Sequence, residues 1–314
     1  HLHWLCAGFL RIETLAKLDQ PLIWTLHDSW AFTGGCHVPF DCTKYRDRCG
    51  ACPVLGSSSE ADLSRRTWQR KKNSWRNLHL TVVTPSRWMT QAARSSSLFR
   101  DVRVEHIPYG IDTELFKPLD QQESRRALDL PLDKKIILFG AVQAFSDPNK
   151  GFHWLQDALR IAGQDSSDKL AVVFSSIDRS RVSDLGMPAV FLGRVADAML
   201  PALYSAADVF VLPSKSENLP LTVLEAMACG TPCVAFRQGG LPDQVDDQTN
   251  GYLAQPYEID DLARGISWVL EDEERLALLS QRARQKVETE FRQDREAKRY
   301  AELYHEIFAG HGSH

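Results

Sequence analysis

The chain lacks several features that would have placed it quickly. In 314 residues, no apolar run approaches the ~20 residues that a membrane-spanning helix needs. There is no excess of positive charge: 37 basic against 41 acidic side chains give a net charge of −4. A nucleic-acid partner is therefore not expected, since such proteins carry a dominant basic face. No Gly-x-x-x-x-Gly-Lys-Ser/Thr loop is present and no Gly-x-Gly-x-x-Gly follows a strand, which weighs against P-loop nucleotidases and dinucleotide dehydrogenases. The chain opens on His1-Leu2-His3-Trp4-Leu5 with neither a charged n-region nor an apolar h-region. It reads as a segment that begins inside a domain.

What is present is ordinary for a globular protein, with 43 % hydrophobic and 25 % charged residues, 18 Gly and 15 Pro. At roughly 100–200 residues per domain the length favours two domains. Short runs rich in Val, Ile, Leu and Phe recur and predict strands at Leu22–Leu26, Leu80–Thr84, Val104–Ile107, Ile136–Phe139, Leu170–Phe174, Ala189–Leu192, Val209–Leu212 and Cys233–Phe236. Helical patterns fall between them, at Phe152–Ile161, Ala198–Ala206, Leu221–Cys229 and Asp261–Leu270. Strand and helix in alternation mean βαβ units and parallel sheets covered on both faces, so the fold class is α/β. The polar stretch Lys117–Lys135 reads as a linker. Beyond Glu271 the pattern is helical, and Tyr300, Leu303, Tyr304 and Ile307 recur at the spacing of one buried helix face.

Seven cysteines are distributed unevenly. Cys6, Cys229 and Cys233 sit in apolar contexts, as buried thiols do. Cys36, Cys42, Cys49 and Cys52 crowd into seventeen residues. An odd count and no signal peptide argue against a disulfide framework. Cys49-x-x-Cys52 is half of a zinc knuckle, and Cys36 with Cys42 could supply two further thiolates, with His37 as a spare ligand. Two disulfides, or four reduced loop thiols, remain the alternatives. A zinc ion held by four Cys would be structural, because no position is left for water.

The chemistry-bearing stretch is Asp208 to Pro232, which reads strand, loop, helix, a Gly-Thr-Pro stop and another strand. Pro220 suits the first helical position. The Leu221 and Thr222 N–H groups then face out of the helix start, where the dipole favours an anion such as phosphate. Glu217 precedes that start and Glu225 lies inside the helix, about 7–8 Å further along at ~1.5 Å per residue. A phosphate site flanked by two carboxylates suits a nucleotide sugar. Glu225 as an ordinary helix residue is the plain alternative.

This segment resembles the Glu-x7-Glu donor motif of the retaining, nucleotide-sugar-dependent glycosyltransferases of family 4, which have the GT-B fold. Leu203 to Ser214 resembles the strand entering that motif. Asp147-Pro148-Asn149-Lys150-Gly151 resembles the family's Lys-Gly loop, and Phe191-Leu192-Gly193-Arg194-Val195 the loop beside the base. Gly239-Gly240-Leu241-Pro242-Asp243 and Asn250-Gly251-Tyr252-Leu253 resemble its closing segments. Two Rossmann-like domains facing across a cleft are thereby implied, at 1–118 (with a Cys-rich insertion at 33–53) and 119–290, followed by a helix at 291–314 that packs back on the first. His1-Leu2-His3-Trp4 resembles a late strand end of the first domain, so that domain is expected to be incomplete and this segment to be short of full activity.

The resemblance also implies roles. Lys150 would neutralise the donor diphosphate, Glu217 would bind hydroxyls of the donor sugar and Glu225 the ribose, with Arg194, Asn218, Leu219, Leu221 and Thr222 completing the donor site. Trp24-Thr25-Leu26-His27-Asp28 resembles the family strand ending in a His that faces the donor sugar; a hydrogen-bonded loop His is the alternative for His27. The implied reaction is hexose transfer from a nucleoside-diphosphate sugar to a glycan or lipid-linked hydroxyl, with anomeric retention and no catalytic metal; no Asp-x-Asp ends a strand, in agreement. Two departures stand out. The family's Arg after the first donor-domain strand is replaced by Ala141-Val142-Gln143, and its Phe-Gly after the first Glu by Leu219-Pro220.

The Cys-rich loop resembles an insertion in bacterial members that build extracellular polysaccharides. Between Arg65 and Arg76 stand six basic and no acidic residues, with Trp68 and Trp75 one heptad apart. Such a helix could dock on anionic lipid or hold a lipid-diphosphate acceptor, although most charge runs are solvated faces. The expected location is cytoplasmic, at the inner face of the membrane. A non-catalytic nucleotide-sugar-binding subunit, or a phosphorylase or epimerase on the same fold, are the rival readings.

Overall fold

The structure is a computed structural model that describes residues 1–140, 147–163, 168–174 and 184–311. The chain divides into two compact units, His1–Pro108 with Glu296–His314, and Tyr109–Arg295. Among the described residues no helix is long and apolar enough to cross a membrane.

The first unit holds strand β1 (Leu22–Thr25), helix α1 (Leu63–Trp75), β2 (Leu80–Thr84), α2 (Arg87–Ser95) and β3 (Arg103–His106). The three strands are parallel in the order β1-β2-β3. Leu2 adds a parallel bridge outside β1: its N–H donates to the Ile23 carbonyl at 2.7 Å and its carbonyl accepts from Thr25 N–H at 2.9 Å. Asp62 caps α1 and Ser86 caps α2, each accepting from an N–H three residues on. One face of the sheet carries Trp24, Val82 and Val104 against Trp75, Met89 and Phe99.

The other face carries Ile23, Val83 and Ile107, covered by Leu303 with Tyr300, Tyr304 and Ile307 beside it. These belong to α10 (Gln293–His311), so the helical stripe read from the sequence is the stripe that is buried. Thr25 Oγ1 meets Tyr300 Oη at 2.7 Å, and Arg103 forks onto Glu306 at 2.7 and 2.8 Å.

The second unit contains α3 (Gln121–Ala127), β4 (Lys135–Gly140), α4 (Phe152–Ala162), β5 (Lys169–Phe174), β6 (Ala189–Gly193), α5 (Leu200–Ala206), β7 (Val209–Leu212), α6 (Leu221–Ala228), β8 (Cys233–Phe236), α7 (Leu241–Gln244), β9 (Gly251–Ala254), α8 (Ile259–Leu270) and α9 (Glu273–Glu290). Its six strands are all parallel, in the order β6-β5-β4-β7-β8-β9. Near-continuous apolar runs such as Ile136–Phe139 are needed because both faces are packed. Ile136, Leu138 and Phe210 point to one layer, and Ile137, Phe139 and Val211 to the other.

The sequence reading differs from this structure in definite places. The stretch Lys117–Lys135 is not a bare linker: it holds α3, capped by Asp120, whose Arg125 is buried. Arg125 Nη2 lies 2.9 Å from Asp208 Oδ2, and Arg125 also donates to the carbonyls of Ala206, Leu132 and Lys134. Asp208 further accepts from Ile136 N–H at 2.5 Å and from Gln121 Nε2 at 3.2 Å. The unit boundaries fall at Pro108/Tyr109 and Arg295/Glu296 rather than at 118 and 290. The segment Asn250–Leu253 overlaps strand β9 (Gly251–Ala254), which opens on a glycine and holds no β-branched residue to mark it as a strand.

Trp68 and Trp75 are core residues, 4 % and 7 % exposed, and Lys71 between them is fully buried. A heptad spacing put both rings on one face, but that face meets protein. The contact expected of residues 65–76 with anionic membrane is thus deprived of its aromatics. Of the basic side chains left outside, Arg70 pairs with Glu13 at 2.8 Å.

Candidate functional site

In the second unit the strand order reverses between β4 and β7, where the chain leaves the sheet in opposite directions from two neighbouring strands. Open α/β sheets bind ligands at that point, outside the carboxyl ends of the strands. The loops that emerge there contain 147–151 after β4 and 213–220 after β7. They carry Lys150 and Glu217. Lys150 Nζ donates to Glu217 Oε1 at 2.8 Å, with both side chains partly open to solvent.

The two loops are fastened by their backbones. Asp147 Oδ1 accepts from Asn149 N–H at 2.9 Å, Asn149 Nδ2 donates to the Ser216 carbonyl at 2.9 Å, and Lys215 N–H donates to the Asn149 carbonyl at 2.7 Å. Gly151 turns into α4 with φ of +66°, and a Cβ there would overlap the Pro213 carbonyl. Gly239 approaches from a third loop with φ of +56°, where a Cβ would overlap the Glu217 carbonyl; the next residue, Gly240, donates its N–H to that carbonyl at 3.0 Å. Glu217 is therefore positioned by its main chain as well as by Lys150. Two polar atoms in this region, Asn149 Oδ1 and Ser214 Oγ, are buried without a hydrogen-bond partner among the described residues.

Helix α6 starts at Leu221. Pro220 is its N-cap, one position earlier than the sequence suggested, and no side chain caps it. Its first-turn N–H groups are thus without a side-chain acceptor among the described residues, the condition under which a helix start attracts an anion. Thr222 is half-buried and Leu221 is exposed, whereas the Leu219 side chain is buried in the core and can offer only backbone to a ligand. Asn218 is half-buried, and Arg194 is exposed beyond β6.

Glu225 lies one turn inside α6. Tyr204 Oη donates to Glu225 Oε2 at 2.7 Å. Burial pushes the Glu225 carboxyl above its ordinary 4.5, the Tyr204 hydroxyl opposes that shift, and Asp197 adds to it. The sequence reading did not find Tyr204; it belongs to α5, and no spacing links it to Glu225. Ala141-Val142-Gln143, where the second cationic residue was missed, lies outside the described residues. Asn250 is buried and works within the fold, accepting from Asp246 N–H at 2.9 Å.

In the first unit His27 follows the end of β1. Its Nε2 lies 2.9 Å from His3 Nδ1, with the two rings stacked at 5.2 Å. Partial burial, then His3, push His27 below its ordinary 6.5, against the pull of Asp28. Cys6, Cys229 and Cys233 are buried free thiols, as expected.

Residues 120–286 match the family model described as glycosyl transferases group 1. The chain belongs to that family. D-inositol 3-phosphate glycosyltransferase of Mycolicibacterium paratuberculosis is 35 % identical over 176 residues, 54 % of this chain and 39 % of that protein. The enzyme of the same name from Saccharomonospora viridis is 32 % identical over 221 residues, 66 % of this chain and 51 % of that protein. The chain thus spans about half or less of these relatives.

Among solved structures, sucrose-phosphate synthase of Thermosynechococcus elongatus superposes with a TM-score of 0.71 at 24 % identity, covering 94 % of this chain and 69 % of that one. Anabaena HepE, solved in complex with UDP and glucose, superposes at 0.70 and 22 % identity, covering 91 % and 72 %. WaaG, a lipopolysaccharide glycosyltransferase, gives 0.65 at 15 %. These likenesses establish the fold, which is that of the GT-B glycosyltransferases.

Proposed function

We propose that the second unit binds a nucleoside-diphosphate sugar, and that the protein transfers the hexose to a hydroxyl of a glycan or lipid-linked acceptor with retention of configuration, in polysaccharide assembly. The observation that carries this reading is the Lys150–Glu217 pair beside the uncapped start of α6. A diphosphate on the first-turn N–H groups of α6 is held by the helix dipole and draws Lys150 Nζ as a point charge. Glu217, released from the ammonium, accepts hydroxyl protons of the sugar, while Glu225, pre-oriented by Tyr204, accepts those of the ribose.

Charge builds on the diphosphate as the sugar–oxygen bond breaks, so the helix start and Lys150 act more strongly in the transition state than in the ground state. On a retaining, front-face course, the leaving phosphate oxygen takes the proton of the acceptor hydroxyl that attacks the same face of the anomeric carbon. Neutral at pH 7, His27 serves as a hydrogen-bonding group and not as a fixed cation in this reading. HepE and WaaG, whose names tie them to UDP-glucose and to lipopolysaccharide, support the donor class and a glycan acceptor.

The test is transfer and hydrolysis assayed over a panel of nucleotide sugars, with wild type beside Glu217→Gln. Turnover of one donor, lost in the variant, supports the reading. Nucleotide-sugar binding without turnover of any donor, in a protein of full relative length, favours a binding subunit instead.

A further inference from the structure

Three metal-ligating side chains meet in the first unit, and the donor chemistry uses none of them. Cys6, Asp28 and His37 each offer one ligand atom, and these atoms lie within 4.8 Å of one another. They come from three separate segments: the turn after Leu5, the chain just beyond β1, and loop 33–53. Cys6 is buried, Asp28 half-buried and His37 exposed. Cys36, Cys42, Cys49 and Cys52, the zinc ligands expected from the sequence, form no such group among the described residues.

Each ligand is delivered by its own backbone. Ala7 and Gly8 turn the chain directly after Cys6 with φ of 55° and 85°, and Phe9 N–H donates to the Cys6 carbonyl at 3.3 Å. Asp28 Oδ1 accepts from Trp30 N–H at 2.8 Å. Its Oδ2 lies 2.7 Å from His37 Nδ1 and accepts from Trp4 Nε1 at 3.2 Å. Ser29 N–H donates to the His37 carbonyl at 2.9 Å, which fastens the loop beside Asp28. Cys6 and Asp28 also line a small cavity, together with His3, Trp4 and His27.

The donor set decides the class of cation. One sulfur, one imidazole nitrogen and one carboxylate oxygen suit zinc, whereas magnesium and calcium take shells of oxygen. Bonds of about 2.3 Å to sulfur and about 2.0–2.2 Å to nitrogen and oxygen set the ligand atoms of a tetrahedral zinc roughly 3–4 Å apart. The three atoms here are already close to that spacing. The His37–Asp28 contact alone would be an ordinary hydrogen bond; the Cys6 sulfur beside it completes a ligand set.

We propose that Cys6, Asp28 and His37 bind one zinc ion, with water in the fourth position. Zn²⁺ with one thiolate and one carboxylate carries no net charge, so the site needs no further counter-ion. On binding, the Cys6 thiol gives its proton to solvent. His37 binds as the neutral ring through Nδ1, with its proton then on Nε2. The ion ties the Cys6 turn and the His37 loop to the residue after His27, and so holds that strand end in place. It draws on no residue of the second unit.

The test is the zinc bound to the whole chain after equilibration with Zn²⁺ and removal of the unbound ion. About one zinc per chain is expected. Cys6→Ser and His37→Ala, the second at an exposed ring, should each lose it. Cys36→Ser and Cys52→Ser should keep it. Co²⁺ in place of zinc should give the visible bands of a four-coordinate site and a near-ultraviolet thiolate band, both absent in Cys6→Ser. Less than roughly 0.2 zinc per chain in the wild type overturns the proposal, as does zinc unchanged in Cys6→Ser or in His37→Ala. Loss of the metal in Cys36→Ser or Cys52→Ser overturns it too, and would assign the ion to the loop cysteines. If Cys6→Ser fails to fold, His37→Ala and the wild-type cobalt spectrum decide.

Discussion

Lys150 and Glu217 meet at 2.8 Å although 67 residues separate them, because β4 and β7 are neighbours at the point where the sheet reverses direction. Cation and carboxylate each stand on a loop anchored by other hydrogen bonds, so the loops do not depend on the pair for their position. Lys150→Ala should therefore leave the melting temperature nearly unchanged while lowering donor turnover by about 10²–10³, the scale for loss of one transition-state charge partner. Assayed kcat near wild type would remove Lys150 from the chemistry.

Glu225 must be ionised to accept hydroxyl protons, and burial raises its pKa. Affinity for a nucleotide sugar should thus hold above that pKa and fall as pH drops through it, beginning at a higher pH than for an ordinary Glu. The donor's diphosphate, esterified at both ends, does not titrate in this range. Tyr204→Phe removes the hydrogen bond that favours the carboxylate, so the midpoint should move up; calorimetric titrations across pH that show it unmoved or lower would contradict the arrangement.

Arg125 and Asp208 form an ion pair that is almost entirely buried, 5 % and 7 % exposed. Arg125→Met strands the Asp208 charge and should cost about 3–5 kcal/mol of stability. Denaturant unfolding measures this directly. A loss below about 1 kcal/mol, the range of a surface pair, would show the site to be open to water.

Trp75 is buried, with its Nε1 donating to the Ile12 carbonyl at 2.8 Å. Trp75→Ala should cost about 3–5 kcal/mol and leave co-sedimentation with anionic vesicles as it is. Loss of vesicle binding with stability intact would restore the lipid-facing role first read from the sequence.

The sheets were legible because strands buried on both faces spell near-continuous apolar runs, and the eight strands so read are present to within a residue or two at their ends. β9 was not, since Gly251-Tyr252-Leu253-Ala254 opens on a glycine and holds no β-branched residue, so its local pattern carries too little signal. The same limit explains Trp68 and Trp75: a helical period names the residues of one face but not what covers that face. Glu217, Glu225 and Lys150 could be nominated from motif resemblance. Tyr204, which donates to Glu225, and Arg125, which pairs with Asp208 at the start of β7, could not, because their contacts join α5 to α6 and α3 to β7, and nothing in one sequence pairs those elements.

The second unit is expected to bind a nucleotide sugar through Lys150 and the start of α6. Thermal unfolding of the wild type and Lys150→Ala across a panel of nucleoside-diphosphate sugars tests it most directly, because ligand binding raises apparent stability by mass action. At least one donor should raise the wild-type melting temperature in a concentration-dependent way, with the shift much reduced in the variant. No shift with any donor, or equal shifts in both proteins, would contradict it.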